Sequence, residues 1–392
     1  MKSIFQHIKG DKAIWAIIAV LAVFSFMPLY SASTNLVYVL GKGSVLGHLA
    51  KHVVLLISGF AIIYFVHKIP YRYLSGGSVL MLPIVILLLI ITLAQGIVIK
   101  GANASRWIHI PFVGINFQTS TLAGLVLMIY GARYLAKHKE KPIQFKESLL
   151  KLWLPTGLIL LLVLPANFST TAIIFCMLIL LAFTGGYPLK YLGYITAIGV
   201  FVLMFFILII KTFPDAIPNR IHTWQSRLES FVKPSGKDSK QVEKAKIAIA
   251  TGGLIGKGPG KSVQKSFLPL SASDFIYAII IEEYGFAGAL FVVFVYFLLL
   301  FRILVTAKKA NTVFGSLLVI GVGIPIVFQA LINMAVAVNL LPVTGQTLPL
   351  LSSGGTSIWV TCIAIGIILN VSASRNETEE TILSSNILNK HP

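Results

Sequence analysis

Three carboxylates lie where an apolar segment would normally exclude charge. Of the thirteen Asp and Glu residues in the chain, we place only Asp274, Glu282 and Glu283 in or at a predicted membrane span. An ionisable group inside a membrane is costly, so a functional role is the default hypothesis for it. The alternative is structural: residues 271–274 begin a helix with Asp274 as its cap, and the two glutamates pair with buried polar or basic groups.

The chemistry that Asp274 offers is general-base catalysis. A positioned carboxylate removes the proton of an attacking hydroxyl, which contributes about 10²–10⁴-fold in rate. About 12 Å of helix rise separates Asp274 from Glu282, too far for the paired carboxylates of a retaining glycosidase. If this segment is catalytic, we expect one carboxylate to act alone.

A glycine-rich stretch, residues 252–262, resembles a phosphate-binding loop. The nucleotide-binding pattern requires glycine where this chain has Ile255, so we do not predict a nucleotide hydrolase. Flexible glycines nevertheless present backbone N–H groups, and Lys257 and Lys261 add positive charge. The stretch is therefore predicted either to hold a diphosphate or to be an ordinary flexible loop.

Two further stretches carry candidate binding residues. In residues 100–112, Arg106 can contact a phosphate or carboxylate through two N–H groups, whereas Trp107 is typical of a membrane interface. Residues 341–357 are rich in proline, glycine and hydroxyl side chains. Such a helix-breaking segment is tolerated at membrane depth only inside protein or beside a wet cavity, so it indicates either a site or a simple outer turn.

The sequence does not favour a metal site or a disulfide. Cys176 and Cys362 lie inside apolar segments, and the pair His48 and His52 has no third ligand nearby. We expect four histidines to be surface residues: His48, His52, His109 and His222.

The elements that must position these groups are membrane helices. The chain of 392 residues is 56% hydrophobic and 11% charged, with a mean hydropathy of +0.87. This composition predicts an all-α integral membrane protein, and the net charge of +19 does not by itself indicate nucleic acid. We predict about ten transmembrane helices, at residues 13–32, 53–66, 79–98, 122–136, 152–164, 171–183, 191–210, 275–300, 314–338 and 358–371.

Loop charges predict the orientation of these helices. An even number of spans puts both termini on one side, and the positive-inside rule makes that side cytoplasmic. The long segment 212–274, between helices 7 and 8, is then a large extracytoplasmic loop. It is rich in lysine, which suits either an anion-binding surface or a solvated loop. Residues 1–371 are expected to form one polytopic membrane domain, followed by a disordered, polar cytoplasmic tail at 372–392.

Taken together, these stretches resemble the SEDS family (shape, elongation, division and sporulation; FtsW, RodA and SpoVE). The likeness runs from the first predicted span to Val371. Its motifs are matched by Gly101-Ala102 with Arg106-Trp107-Ile108, by Arg227, Leu228, Phe231 and Pro234, and by residues 248–258, 274–285 and 341–357.

The chain departs from the family pattern at two places. A Gln-Pro-Ser-Glu motif that ends in lysine is replaced by residues 118–124, which lack the glutamate and the lysine. A Pro-Asp motif is replaced by residues 166–170. The first departure makes the chain more similar to the division-type FtsW branch than to the elongation-type RodA branch.

The resemblance implies a peptidoglycan glycosyltransferase with ten membrane helices. Such proteins polymerise lipid II at the outer face of the inner membrane, together with a class B penicillin-binding protein and other division proteins at the septum. The family's essential aspartate falls on Asp274. With the residue-level reasoning above, this gives a set of candidate substrate-binding residues: Arg106, Trp107, Arg227, Lys257, Lys261, Gln264, Lys265, Glu283, Ser352 and Gly354.

We expect Asp274 to activate the acceptor sugar hydroxyl in a single displacement that inverts the anomeric carbon. Basic side chains stabilise the leaving diphosphate, and a divalent cation, Mg²⁺ or Mn²⁺, is an alternative counter-charge. Three other functions stay open at this point. They are a RodA-like polymerase for cell elongation, a flippase for the lipid-linked precursor, and a noncatalytic scaffold for division proteins.

Overall fold

A computed structural model describes residues 9–38, 44–95, 98–99, 102–103, 107–110, 115–212, 236–268 and 271–388. Each predicted span corresponds to a helix within these ranges. The predicted fifth span, 152–164, covers the helix Leu154–Val163 and the end of a π-helical turn, Leu149–Trp153, that joins it to a short preceding helix. The helices are α1 (Lys12–Tyr38), α2 (Val45–Val66), α3 (Arg72–Gln95), α4 (Thr119–Lys137), α5 (Phe145–Ser148), α6 (Leu154–Val163), α7 (Phe168–Thr184), α8 (Leu189–Thr212), α9 (Gly236–Gly252), α10 (Ile276–Lys308), α11 (Val313–Ala337) and α12 (Gly355–Leu388).

Several of these helices have the length and composition of membrane spans. Among the described residues, six are long and apolar enough to cross a bilayer, and two shorter apolar helices lie at Phe168–Thr184 and Leu189–Phe205. Large apolar side chains such as Leu80, Phe201 and Phe294 are exposed on the outside of the bundle. In a bilayer that surface faces lipid, so the prediction of an all-α membrane protein is confirmed.

Helix α11 is central to the bundle. It packs against α10, α4, α12 and α7, while α2 packs on α12 and α3 packs on α4. Successive spans alternate in direction, so the bundle has two ends. One end holds the starts of α1, α3 and α11, and the other holds the starts of α4, α10 and α12.

Short strands join α3 to α4. Strands β1 (Val98–Ile99) and β2 (Ala102–Asn103) pair antiparallel, as do β3 (Trp107–Ile110) and β4 (Ile115–Gln118). The second hairpin places Trp107 opposite Gln118, directly before α4 begins.

The long loop between α8 and α10 contains α9, and the rest of its described part comprises residues 253–268 and 271–275. Helix α12 runs from Gly355 to Leu388, so the predicted polar tail at 372–392 begins inside this helix.

Candidate active site

A cavity of about 440 Å³ opens at the end of the bundle where α10 begins. Asp274 lines it and is the one charged side chain among the described residues that do so. The walls come from α4, α7, α11, α12, the β3–β4 hairpin and the segment before α12. The polar side chains of the lining are Gln118, Ser120, Thr121, Thr170, Ser273, Asp274, Gln329, Gln346, Thr347, Ser353, Ser357 and Thr361.

Asp274 is half-buried in a turn immediately before α10. The N-cap residue of α10 is Phe275, so the prediction that Asp274 is the cap was wrong. Its backbone is fixed by a buried amide, because Asn333 Nδ2 donates to the Asp274 carbonyl at 2.9 Å and to the Gln346 carbonyl at 2.7 Å. The carboxylate therefore stands at a defined place on the cavity wall.

The helix-breaking segment at residues 341–354 forms the wall beside Asp274, which agrees with the prediction that it borders a site. Its backbone is tied to the turn before α10 by two bonds: Ser352 Oγ donates to the Ser273 carbonyl at 2.6 Å, and Ser353 N donates to the Ala272 carbonyl at 2.8 Å. Gly354 lines the cavity, whereas the buried side chain of Ser352 is used up in holding these two segments together.

The cavity changes character with depth. Amide and hydroxyl groups gather near Asp274, and Gln346 Nε2 bridges to Thr170 Oγ1 at 2.9 Å. Deeper in, between the helices, the lining is apolar, with Met128, Ile174 and Ile326 among its residues. The space can thus take a polar group at its mouth and an apolar group below.

The first departure from the family pattern reaches this cavity. Thr121 and Gly124 stand at the positions of the missing glutamate and lysine, and both line the wall. In the second stretch, residues 166–170, the cavity is lined by Thr170, which agrees with the family motif. An acidic and a basic position are therefore absent at residues 121 and 124, and this part of the wall is uncharged.

Asn333 and Gln329 are site residues that sequence reasoning missed. Asn333 holds the Asp274 turn, and Gln329 Nε2 donates to the Thr347 carbonyl at 2.9 Å. Both are amides inside the strongly apolar helix α11. An isolated amide in a membrane span is a signal that could have found them.

The predicted substrate-binding residues divide into three groups. Trp107 and Gly354 line the cavity with Asp274. Arg106 and Arg227 lie outside the described residues. The remaining six belong elsewhere: Ser352 holds the wall, and Lys257, Lys261, Gln264, Lys265 and Glu283 lie in or around the glycine-rich loop.

Glu282 is fully buried beneath that loop. Lys257 Nζ forms an ion pair with its Oε1 at 2.6 Å, and Ser262 Oγ donates to its Oε2. The backbone amides of Val263 and Gln264 each donate to the carboxylate at 3.1 Å. The expectation that Glu282 orders a basic neighbour is confirmed, and the positive charge of Lys257 is already balanced.

Glu283 is buried as well and contacts a different helix. It accepts hydrogen bonds from Ser31 Oγ on α1 and, at 3.3 Å, from the Ser262 backbone amide. Lys265 Nζ donates to the Gly260 carbonyl at 2.7 Å, and Lys261 is exposed. Glu283 thus connects α1 to the loop and is not among the residues that line the cavity.

The glycine-rich loop completes a broken helix. Gly285, inside α10, has φ 66° and ψ −163°, which is not helical. Before the break, the Glu282 carbonyl accepts from Lys257 N at 3.0 Å and the Glu283 carbonyl accepts from Gly258 N at 2.9 Å. After the break, Phe286 N donates to the Gly253 carbonyl at 2.9 Å and Ala287 N donates to the Leu254 carbonyl at 3.2 Å. The loop is therefore a fixed element, and two of its amides are unavailable to a diphosphate.

The described residues do not form a metal centre. They contain no group of three or more His, Cys, Asp and Glu side chains that could hold an ion, and Asp274 is the single described carboxylate at the cavity. One carboxylate is too few for a cation held by protein alone. His52, expected at the surface, is buried, with Nε2 at 2.8 Å from Ser25 Oγ.

Comparison with known proteins gives a consistent family. A family model described as "Cell cycle protein", covering FtsW, RodA and SpoVE, matches residues 11–377. The probable peptidoglycan glycosyltransferase FtsW of Nitrosomonas europaea is 34% identical over 354 residues, which cover 88% of this chain and 87% of that protein. Its counterpart in Thioalkalivibrio sulfidiphilus is 32% identical over 337 residues, with 84% and 81% covered.

Solved structures share the fold. One chain from a structure described as "Structural coordination of polymerization and crosslinking by a peptidoglycan synthase complex" has a TM-score of 0.72 at 24% identity, covering 93% of this chain and 98% of that one. The rod shape determining protein RodA of Thermus thermophilus has a TM-score of 0.66 at 24% identity, covering 93% and 97%.

Proposed function

This chain belongs to the FtsW, RodA and SpoVE family, and from that membership we propose that it is a peptidoglycan glycosyltransferase that polymerises lipid II for the septal wall. The single observation that carries the proposal is the position of Asp274. Its half-buried carboxylate lies at the mouth of a cavity that is polar above and apolar below, as a lipid-linked sugar requires.

Asp274 acts as the general base. It accepts the proton of the acceptor sugar hydroxyl as that oxygen attacks the anomeric carbon of the donor sugar, and the bond to the undecaprenyl diphosphate breaks. One displacement inverts the anomeric carbon. Asn333 is a positioning residue, because it holds the backbone of Asp274 against the neighbouring wall. The amide and hydroxyl groups near the mouth can orient sugar hydroxyls.

The leaving diphosphate needs positive charge near the cavity. Arg106 is adjacent to the cavity residue Trp107 in the chain and is our first candidate, with Arg227 as the second. Lys257 is a weaker candidate than the sequence suggested, because Glu282 already neutralises it. A divalent cation would bring further positive charge to the diphosphate when bound, and no step described here depends on one.

We place both termini in the cytoplasm and the cavity mouth at the outer face of the inner membrane. The basic loops at the opposite end of the bundle support this orientation through the positive-inside rule. A class B penicillin-binding protein that crosslinks the new strands is the expected partner. The solved structure with a TM-score of 0.72 is described as a peptidoglycan synthase complex that coordinates polymerisation and crosslinking, which supports that choice.

The test is glycan synthesis from labelled lipid II by the purified protein with its penicillin-binding partner, with moenomycin present to silence contaminating polymerases. Asp274→Asn keeps the side-chain volume and removes the base, so we expect a loss of about 10²–10⁴-fold. The matched control is Glu243→Gln, which removes one exposed negative charge from α9 in the same loop. It should polymerise like the wild type.

The outcomes separate the competing functions. Equal polymer from Asp274→Asn and wild type, at equal partner binding, would remove Asp274 from the mechanism. If the wild-type complex makes no polymer, the activity proposal fails, and transport of a fluorescent lipid II across vesicles then distinguishes a flippase from a scaffold.

A further inference from the structure

A second, larger cavity of about 1100 Å³ lies at the opposite end of the bundle. It is bordered by the turn between α2 and α3, the start of α11 and α12 near Asn370. Thr312 on its wall and Gln329 at the first cavity are separated by about 25 Å of helix rise. The two cavities are therefore separate sites, and the second one plays no part in the chemistry proposed for Asp274.

The wall of this cavity is held by side-chain bonds between distant parts of the chain. Asn370 Oδ1 accepts from the Tyr71 backbone amide at 2.8 Å, and Asn370 Nδ2 donates to the His67 carbonyl at 2.6 Å. The hydroxyl groups of Tyr71 and Thr312 are 3.0 Å apart. The α2–α3 turn is thus fixed to α12 and α11, so the wall of the cavity is held in one arrangement.

The charged side chains among the described residues that line this cavity are all basic. Lys9, Lys68 and Arg72 line it, and no Asp or Glu is among its described lining residues. Asp11, close to Lys9 in the chain, is engaged by two N–H groups of Arg302. Lys68 Nζ donates to the Tyr64 hydroxyl at 2.6 Å, which leaves its other hydrogens for a ligand.

We propose that this cavity binds the headgroup of an anionic phospholipid. The phosphate contacts Lys68 and Arg72, which line the cavity. Phe65, Ile69 and Tyr73 are strongly exposed around the same turn and supply an apolar surface for the acyl chains. Basic pockets between membrane helices are known to bind such headgroups.

The charge is tested first, on the full chain in nonionic detergent. Dioctanoyl phosphatidylglycerol binding is measured by native mass spectrometry for wild type and for the double variant Lys68→Gln/Arg72→Gln. We expect affinity to fall at least tenfold in that variant. The control, Lys139→Gln/Lys141→Gln, removes the same charge from exposed positions just after α4 and should bind like wild type. Equal losses in both variants would reduce the effect to general charge and overturn the proposal.

Inorganic phosphate distinguishes a lipid from a soluble anion. It should compete with the lipid only weakly, since it lacks acyl chains for the apolar surface. If phosphate displaces dioctanoyl phosphatidylglycerol at equal concentration, the cavity is a soluble-anion site and the lipid assignment fails.

Discussion

Gly256→Ala tests whether the glycine-rich loop is a fixed part of α10. Gly256 has φ +89°, and a Cβ there would lie 2.2 Å from the Glu283 carbonyl oxygen. That neighbour is backbone, so no side chain can rotate away. The loop must withdraw from the break in α10, and the four backbone hydrogen bonds that join them are lost.

The expected cost follows from those bonds. Each backbone hydrogen bond contributes about 0.5–1.5 kcal/mol net, so the loss of four lowers the free energy of unfolding by about 2–6 kcal/mol. Placing a Cβ at positive φ adds about 1–2 kcal/mol. Alanine also lowers the conformational entropy of the unfolded chain, which raises the free energy of unfolding by about 0.4–1 kcal/mol.

Gly253→Ala is the matched control. Gly253 lies in the same loop at φ +58°, and a Cβ there would meet nothing within 4 Å. It also places a Cβ at positive φ, but without the clash, so the difference between the two variants mainly reports the lost hydrogen bonds. Their unfolding free energies are compared by denaturant titration in mixed micelles.

Hydrogen exchange gives a local readout of the same change. The amides of Lys257, Gly258, Phe286 and Ala287 make the four bonds, so they should exchange faster in Gly256→Ala and unchanged in Gly253→Ala. Equal stability of the two variants, or continued protection of these amides in Gly256→Ala, would refute the idea that the loop completes α10.

Other substitutions probe the remaining features. Lys257→Met removes the counter-charge of the buried Glu282 carboxylate and should destabilise the fold by about 3–5 kcal/mol in denaturant titration, with partial recovery in the double variant Lys257→Met/Glu282→Gln. Asn333→Leu frees the turn that carries the general base and should lower polymerisation by about 10²-fold, with lipid II binding largely kept.

The sequence predicted the helices well because membrane helices are read from composition. Long apolar segments must hydrogen-bond internally in lipid, so hydropathy alone locates them. The same rule flagged Asp274 and residues 341–357, and both lie at the cavity. These features depend only on local sequence and on the properties of the bilayer.

Features that depend on distant contacts were predicted less well. The flexible-loop and diphosphate readings of residues 252–262 both missed that the loop pairs with a break at Gly285, which only tertiary structure shows. Glu283 looked like a substrate contact, yet its partner Ser31 belongs to the first helix. His52 was expected at the surface because nothing nearby in sequence reveals the contact with Ser25.

The break in α10 also constrains how the protein is made. The amide and carbonyl groups beside Gly285 lack their partners until residues 253–258 reach them. Those residues precede α10, so the ribosome delivers them before the helix that they complete. In the proposed orientation they must first cross the membrane. Completion of α10 therefore depends on export of the loop, and a delay in the export delays the formation of the whole helix.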